Sequence, residues 1–291
     1  MISHITRVMF AGFIFALMLP TMGCHQERND SIRLMNEGLS LFKREKAYKA
    51  LDLLGQAAEV DPTNHRAFYY QGLINLQKVG NPAKAEQLLR KAIAITDKNY
   101  EYHYHLGSAL LENKNPRAAV EPLRSAIALR ASHAQSHMRL GMAYEKIGEV
   151  DKAQEAYREA IRQNPRFPES YNALGNLYLR YEKPTHAAQV FKNGIENNPS
   201  WARNYHDLGL VYQEQKRLDE AIGNFEKSFG LDPGNLGAAF NLGMAHADKG
   251  SKRNALRYLK TYMVNRRGTE DPIRVQAAQE MIYRLETDKG R

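Results

Sequence analysis

From Ser31 onward, apolar residues recur with the spacing of an amphipathic α-helix, and short polar turns interrupt the pattern at regular intervals. In one stretch Tyr171, Leu174 and Tyr178 fall on a single helix face. After a polar turn, Ala187 and Phe191 share a face of the next helix. The pattern predicts an all-α chain built from pairs of helices.

The helix pairs repeat at a fixed interval, which is typical of a solenoid. A glycine marks each pair, at spacings of 34 residues except for one of 35: Gly38, Gly72, Gly107, Gly141, Gly175, Gly209 and Gly243. Small residues follow twelve positions later, or thirteen in the second pair: Ala50, Ala85, Ala119, Ala153, Ala187, Ala221 and Ala255. We place the extra residue of the second pair in the turn around Asn81-Pro82.

This repeat resembles the tetratricopeptide repeat (TPR). The fourth unit matches its signature with Leu140, Gly141, Tyr144, Ala153, Tyr157, Ala160 and Pro165. The resemblance implies a right-handed superhelical solenoid of about seven TPR units over residues 31–267. Residues 268–291 are expected to form a capping helix and a tail, with an apolar stripe of Ile273, Ala277, Met281 and Leu285.

The start of the chain has the pattern of an export signal. Residues 8–19 carry no charge, and this run is too short to span a bilayer, which needs about 20 apolar residues. The only cysteine, Cys24, follows Thr21-Met22-Gly23, and this stretch resembles the lipobox of bacterial lipoproteins. The alternatives are a plain secreted protein with a free thiol and an uncleaved anchor.

That resemblance implies three things. Residues 1–23 would be a cleaved signal peptide, and residues 24–30 an N-terminus acylated on Cys24, palmitate included, with a linker. His25 after the cysteine would sort the protein to the outer membrane, facing the periplasm. Nucleic acid is then not an expected partner, although the chain has a net charge of +9.

No motif for catalysis or a cofactor is present. The chain has no phosphate-binding loop, no G-x-S-x-G and no H-E-x-x-H. His133 and His137 have the spacing of a zinc pair but lack a third ligand beside them, so we assign them a structural role. We therefore predict a protein that is not an enzyme and has no cofactor, metal or small-molecule substrate.

The candidate partner site is the groove that TPR units form. In that family, residues three before, one after and four after the glycine point into it. Carried over, these positions are Met35, Leu39, Tyr69, Leu73, Tyr104, Leu111, Met138, Met142, Asn172, Asn176 and His206. Arg203, six residues before its glycine, is included with them. Phe42, Leu76, Gln213, Phe240 and Met244 extend the set.

Two interpretations of these positions stay open. The apolar ones could dock a helix or strand of a protein or peptide partner, because the repeat does not need them for its own packing. They could instead pack against neighbouring units. The Lys/Arg/Asn arrangement with which repeat proteins clamp a terminal carboxylate is not clearly reproduced, so none is predicted.

A second candidate surface is basic. Seven cationic side chains lie in a stretch with no acidic residue: Lys249, Lys252, Arg253, Arg257, Lys260, Arg266 and Arg267. They could bind an anionic partner, or they could form a solvated helix face without a binding role.

The function expected from these features is a membrane-tethered scaffold that binds a partner protein or peptide in its groove. The architecture is similar to that of lipoproteins that assist type IV pilus and secretin assembly. The alternatives are a scaffold that recruits cell-wall or envelope-assembly enzymes and, less favoured, a relative of TPR-bearing glycosyltransferases.

Overall fold

The computed structural model describes residues 25–266, 268 and 271–287. Within these residues every regular element is a helix. Residues 25–43 form α1. The others are α2 Ala47–Val60, α3 His65–Ile74, α4 Pro82–Ile95, α5 Tyr100–Glu112, α6 Pro116–Leu129, α7 Ala134–Lys146, α8 Val150–Gln163, α9 Pro168–Arg180, α10 Pro184–Asn197, α11 Ala202–Glu214, α12 Leu218–Leu231, α13 Leu236–Asp248, α14 Lys252–Asn265 and α15 Pro272–Thr287.

The chain divides into two compact units between Glu149 and Val150. Within each unit, helices that follow one another in sequence pack together, as α3 does with α4 and α9 with α10. First helices of successive repeats also touch, as α5 does with α7 and α9 with α11. This arrangement of helix pairs is the one that the repeat predicts. Among the described helices, none has the length and apolarity needed to cross a membrane.

Close approach of paired helices depends on the repeat's small residues. A Cβ added at Gly175 on α9 would collide with the ring of Phe191 on α10. Ala187 and Phe191 are completely buried at the same contact. The two backbones can approach only because Gly175 leaves room for that ring.

The extra residue of the second repeat lies in a helix and not in the turn where we predicted it. After α3 the chain continues as a π-helix over Asn75–Val79, whose i→i+5 hydrogen bonds span one more residue than those of the α-helix. The left-handed residue of the following turn is Gly80, eight residues after Gly72. In the third repeat the equivalent residue, Lys114, comes seven after Gly107. The insertion is therefore already absorbed before Asn81.

The two ends of the repeat array differ from expectation in detail. Residue 25, the first described residue, already belongs to helix α1, so most of the segment predicted as a linker is helical. Ser31 of α1 is fully buried and donates a hydrogen bond to the Ala57 carbonyl at 2.6 Å. Cys24 and the signal segment lie outside the described residues.

The capping helix α15 packs on α13 and α14, as predicted. Its apolar stripe is shifted from the predicted one, since Ile273 is 76% exposed. Ala278 is fully buried instead. Val275, Met281, Ile282 and Leu285 pack around the same core cluster. Of the predicted stripe, Met281 and Leu285 are therefore in the right place, and Ile273 is wrong.

Candidate functional site

Four of the predicted groove residues in the first unit belong to the core. Met35 is 2% exposed, Leu111 6%, Tyr69 7% and Leu76 8%. Met35 packs with Leu54 and Ala57 of α2 in one cluster. The assumption that the repeat does not need these side chains for packing is wrong, because neighbouring helices cover them.

The other predicted positions of the first unit keep part of their surface open. Leu39, Leu73, Tyr104, Met138 and Met142 are half-buried. They lie on four different first helices, which gives the inner side of this unit a discontinuous apolar surface instead of the predicted continuous strip.

Rings from α3, α5 and the start of α7 form a connected set, which we call the aromatic band. The Tyr69 ring stacks on Tyr102, with centroids 4.6 Å apart, and contacts His105 at 5.7 Å. Tyr104 contacts His105 at 4.8 Å and His133 at 4.9 Å, both edge to face. The members of the band are His65, Tyr69, Tyr70, Tyr100, Tyr102, Tyr104, His105 and His133.

Burial sets the protonation of the band. Desolvation lowers the pKa of His105 to about 4, with smaller contributions from His133 and Arg139. Desolvation also lowers the pKa of His65 and His133 and raises that of Tyr102 to about 12. At neutral pH the band is therefore an uncharged aromatic surface. Cations flank it, since the guanidinium of Arg130 lies 4.8 Å from the Tyr100 ring centroid.

In the second unit, equivalent positions carry a polar network. Asn172 is buried on α9, and its amide donates to Asp207 Oδ2 of α11 at 2.6 Å. His206 Nδ1 lies 3.2 Å from the other oxygen of Asp207, and Asn241 Nδ2 of α13 lies 2.9 Å from His206 Nε2. These contacts fit the His206 tautomer with its proton on Nδ1. Three successive first helices are thereby connected.

An open cleft of about 820 Å³ lies beside this network. It is bordered by the starts of α11 and α13 and by the first turn of α15. Three predicted residues reach it: Asn176, Arg203 and His206. Its other lining residues are Ser200, Trp201, Ala202, Asp207, Leu210, Leu231, Asp232, Asn235, Gly237 and Arg274.

Trp201, Gly237 and Arg274 line the cleft but are not among the residues predicted for the groove. Trp201 and Gly237 lie near the starts of their helices, outside the three positions carried over from the family. Gly237 left a signal, because it is six residues before Gly243. Residues at that position in repeats two to six are long and polar: Arg66, Glu101, Gln135, Glu169 and Arg203. Arg274 lies on the capping helix, outside the repeats, so the repeat spacing cannot predict its position.

The histidine pair has separate structural contacts. His133 Nδ1 lies 2.7 Å from Ser136 Oγ, and His137 Nε2 lies 2.8 Å from the Ala131 carbonyl oxygen. No group of three or more His, Cys, Asp or Glu side chains that could hold a metal ion occurs among the described residues.

The basic stretch has more partners than its sequence indicates. Lys249 pairs with Asp219 of α12, and Lys260 Nζ lies 2.7 Å from Glu286 of α15. Arg257 lies over the Tyr258 ring at 4.3 Å. Carboxylates from neighbouring helices therefore oppose Lys249 and Lys260, although the stretch itself contains no acidic residue. Arg267 lies outside the described residues.

Family models described as tetratricopeptide repeat match most of the repeat region. In chain order, the matched ranges are 35–100, 78–135, 134–167, 156–189 and 202–235. Taken together, the matched ranges exceed half of the chain. No curated protein gives a significant match.

Solved structures give the same fold. The crystal structure of MamA is 28% identical, with a TM-score of 0.54, over 57% of this chain and 96% of that chain. Pseudomonas aeruginosa PilF is 20% identical, with a TM-score of 0.60, over 76% and 98%. A tetratricopeptide repeat protein from Parabacteroides merdae is 14% identical, with a TM-score of 0.63, over 89% and 99%.

Proposed function

Because the chain belongs to the tetratricopeptide repeat family, whose members are scaffolds for protein–protein interaction, we propose that it is a lipid-anchored scaffold. It holds a partner protein at the periplasmic side of the outer membrane. The partner we propose is the secretin of a type IV pilus system, whose assembly the scaffold assists.

The anchor is supported by residues 8–24 and by the start of the fold. An uncharged run ends in Thr21-Met22-Gly23-Cys24, and residue 25, the first described residue, already belongs to helix α1. An acylated Cys24 would therefore attach the first repeat directly to the membrane. Because one triacylated residue provides more than one chain, it is sufficient for stable anchoring.

Binding on the inner surface is supported by the half-buried rings of the aromatic band. This is the observation that carries the proposal. Tyr104 is half-buried, and among the described residues its hydroxyl has no hydrogen-bond partner. Rigid rings with a free polar tip are the side chains that dominate protein interfaces.

The choice of a pilus secretin rests on the resemblance in architecture, in which a signal and a lipidated cysteine precede about seven repeats. The likeness to PilF, at 20% identity, supports the fold and goes no further. Fold alone does not decide function, so the partner is tested directly.

The anchor is tested with Cys24→Ser. We expect intact mass of the mature wild-type protein to show loss of residues 1–23 and added acyl mass on Cys24. The variant should move to the soluble periplasmic fraction. If it stays in the membrane fraction, the anchor is wrong.

The partner is tested by capture from detergent-solubilised membranes of the source cell. Secretin subunits should co-purify with the wild-type protein, and Tyr104→Ala should weaken their binding by about tenfold. Tyr48→Ala is the matched control, because Tyr48 lies on α2, outside the band, and is 76% exposed. Cell-wall enzymes in place of secretin would favour the recruiting scaffold instead.

A further inference from the structure

One wall of the cleft in the second unit lacks a side chain that other repeats carry. Gly237 occupies the position at which repeats two to six carry long polar residues. A Cβ at Gly237 would lie 3.2 Å from Asn235 Oδ1, which would have to shift slightly, 3.6 Å from His206 Nε2 and 3.8 Å from Arg274 Nη1. The backbone conformation at Gly237 does not require glycine, and the missing side chain leaves room for a ligand where α11, α13 and α15 meet.

Several donors that line this space have no strong partner within the protein. Trp201 lines the cleft, and its buried Nε1–H has no hydrogen-bond partner among the described residues. In the described part of the chain, Arg274 has no ion pair or hydrogen bond. Arg203 is mostly exposed, and its Nε lies 3.8 Å from Asp207 Oδ2, which is too long for a hydrogen bond. A buried donor without an acceptor is costly, so an acceptor supplied by a ligand would be favourable here.

The carboxylates at the cleft already have partners. Asp207 accepts from Asn172 and lies within hydrogen-bond distance of His206 Nδ1. Asp232 Oδ1 accepts from the Gly234 backbone N–H at 3.0 Å. Both carboxylates remain negatively charged, and the donors that still have capacity for an acceptor are those of Trp201, Arg203 and Arg274. Leu210 and Leu231 add exposed apolar surface to the lining.

We propose that this cleft binds an acidic, extended segment of the partner protein. Its Asp or Glu side chains would accept from Trp201 Nε1, Arg203 and Arg274, and an apolar side chain between them would lie on Leu210 and Leu231. The inference rests on the proposed function as a binding scaffold and adds the chemistry of the bound segment. A volume of about 820 Å³ is in the range of pockets that enclose small ligands, so it suits a few residues of peptide.

Trp201 is the only tryptophan of the chain and provides a direct reporter. The probe is the peptide acetyl-Ser-Glu-Leu-Glu-Ser-amide, whose only carboxylates are side chains. Its neutral counterpart has Gln in place of both Glu. On titration into the full chain, the acidic peptide should shift the indole N–H resonance downfield, and added salt should weaken binding. The neutral peptide should leave the resonance in place.

Three variants test the geometry. Arg203→Gln and Arg274→Gln should each weaken binding of the acidic peptide by about tenfold, since a hydrogen bond to a charged group is lost. Gly237→Leu should block the cleft while leaving both arginines present. Arg90→Gln is the control, because Arg90 is an exposed arginine on α4 in the first unit. Helical content by circular dichroism checks that each variant folds.

The inference is overturned if both peptides shift the indole resonance equally, if neither does, or if only a peptide with a free C-terminal carboxylate binds. It is also overturned if folded Arg203→Gln and Arg274→Gln bind the acidic peptide normally. The proposed function is judged separately. If an Arg274→Gln variant captures secretin at the wild-type level, the cleft is not the binding site, but the proposed scaffold function stands. If the wild-type protein captures no secretin, the proposed scaffold function is wrong.

Discussion

The two units use equivalent positions of the same repeat for different chemistry. Three residues before the glycine, the first unit has Tyr69 and Tyr104, whose rings pack against other rings. The second unit has Asn172 and His206 there, which form hydrogen bonds to Asp207. The comparison teaches that the repeat fixes where a side chain lies, while neighbouring first helices decide whether it is core, network or open surface.

Truncation at this shared position should produce the largest effect and should differ between the units. Tyr69→Ala removes a buried stacked ring, and we expect it to lower the free energy of unfolding by about 3 kcal/mol or more. Asn172→Ala leaves Asp207 with one donor fewer and should cost about 1–2 kcal/mol. Urea unfolding of both variants checks the order. Equal losses would mean that the packing and network descriptions are not distinct.

Acid should destabilise the protein through the aromatic band. The pKa of His105 is lowered to about 4 from an ordinary 6.5, so below pH 6.5 the unfolded chain binds a proton that the folded chain does not. The stabilisation present above pH 6.5 is therefore lost as the pH falls toward 4, by about 2–3 kcal/mol.

Thermal unfolding of the wild type and of His105→Phe across this pH range measures that loss. The variant should show a shallower decline, because the titrating group is gone. A parallel decline in both proteins would assign the acid sensitivity to other residues.

A contact found only in the second unit offers a gain in stability. The amide of Asn204 is completely buried, and within the described part of the chain neither its donor nor its acceptor is paired. Its Nδ2 would lie 2.5 Å from a Cβ at Gly194. In the first unit, Ala57 and Ala67 occupy the equivalent positions in one apolar cluster.

We expect Gly194→Ala alone to destabilise through overpacking and Asn204→Ala alone to stabilise by about 1 kcal/mol. The double variant should gain about 2 kcal/mol, because alanine is also the better helix former. The double-mutant cycle, measured by urea unfolding, should show strong coupling. Additive effects would place the two side chains out of contact.

The smallest effect should be the same in both units, because they share the turn within each repeat. Lys114 in the first unit and Lys216 in the second are left-handed, with φ of 58° and 62°. Gly148 and Gly250 occupy the same position in other repeats. Lys114→Gly and Lys216→Gly should each raise stability by about 0.5 kcal/mol, since relief of strain slightly exceeds the added entropy of the unfolded chain. Gly148→Ala, measured in parallel by calorimetry, should lower it.

The sequence by itself determined the all-α fold, the register of the repeats and the capping helix. These follow from local rules, because helical periodicity selects the helices and a small residue at every contact selects how they pair. Gly175 and Ala187 could be assigned to the helix contact for this reason. The position of the added residue in the second repeat required the structure, since a π-turn and a longer loop give the same spacing.

Only the tertiary structure decided which inner positions are available to a partner. Met35, Tyr69 and Leu111 look like groove residues in a single repeat and become core once a neighbouring helix covers them. Asn172 and Asp207 are 35 residues apart, and Arg274 approaches Gly237 only because α15 packs on α13. Periodicity describes one helix at a time, whereas burial and hydrogen bonding depend on which side chains of different helices meet.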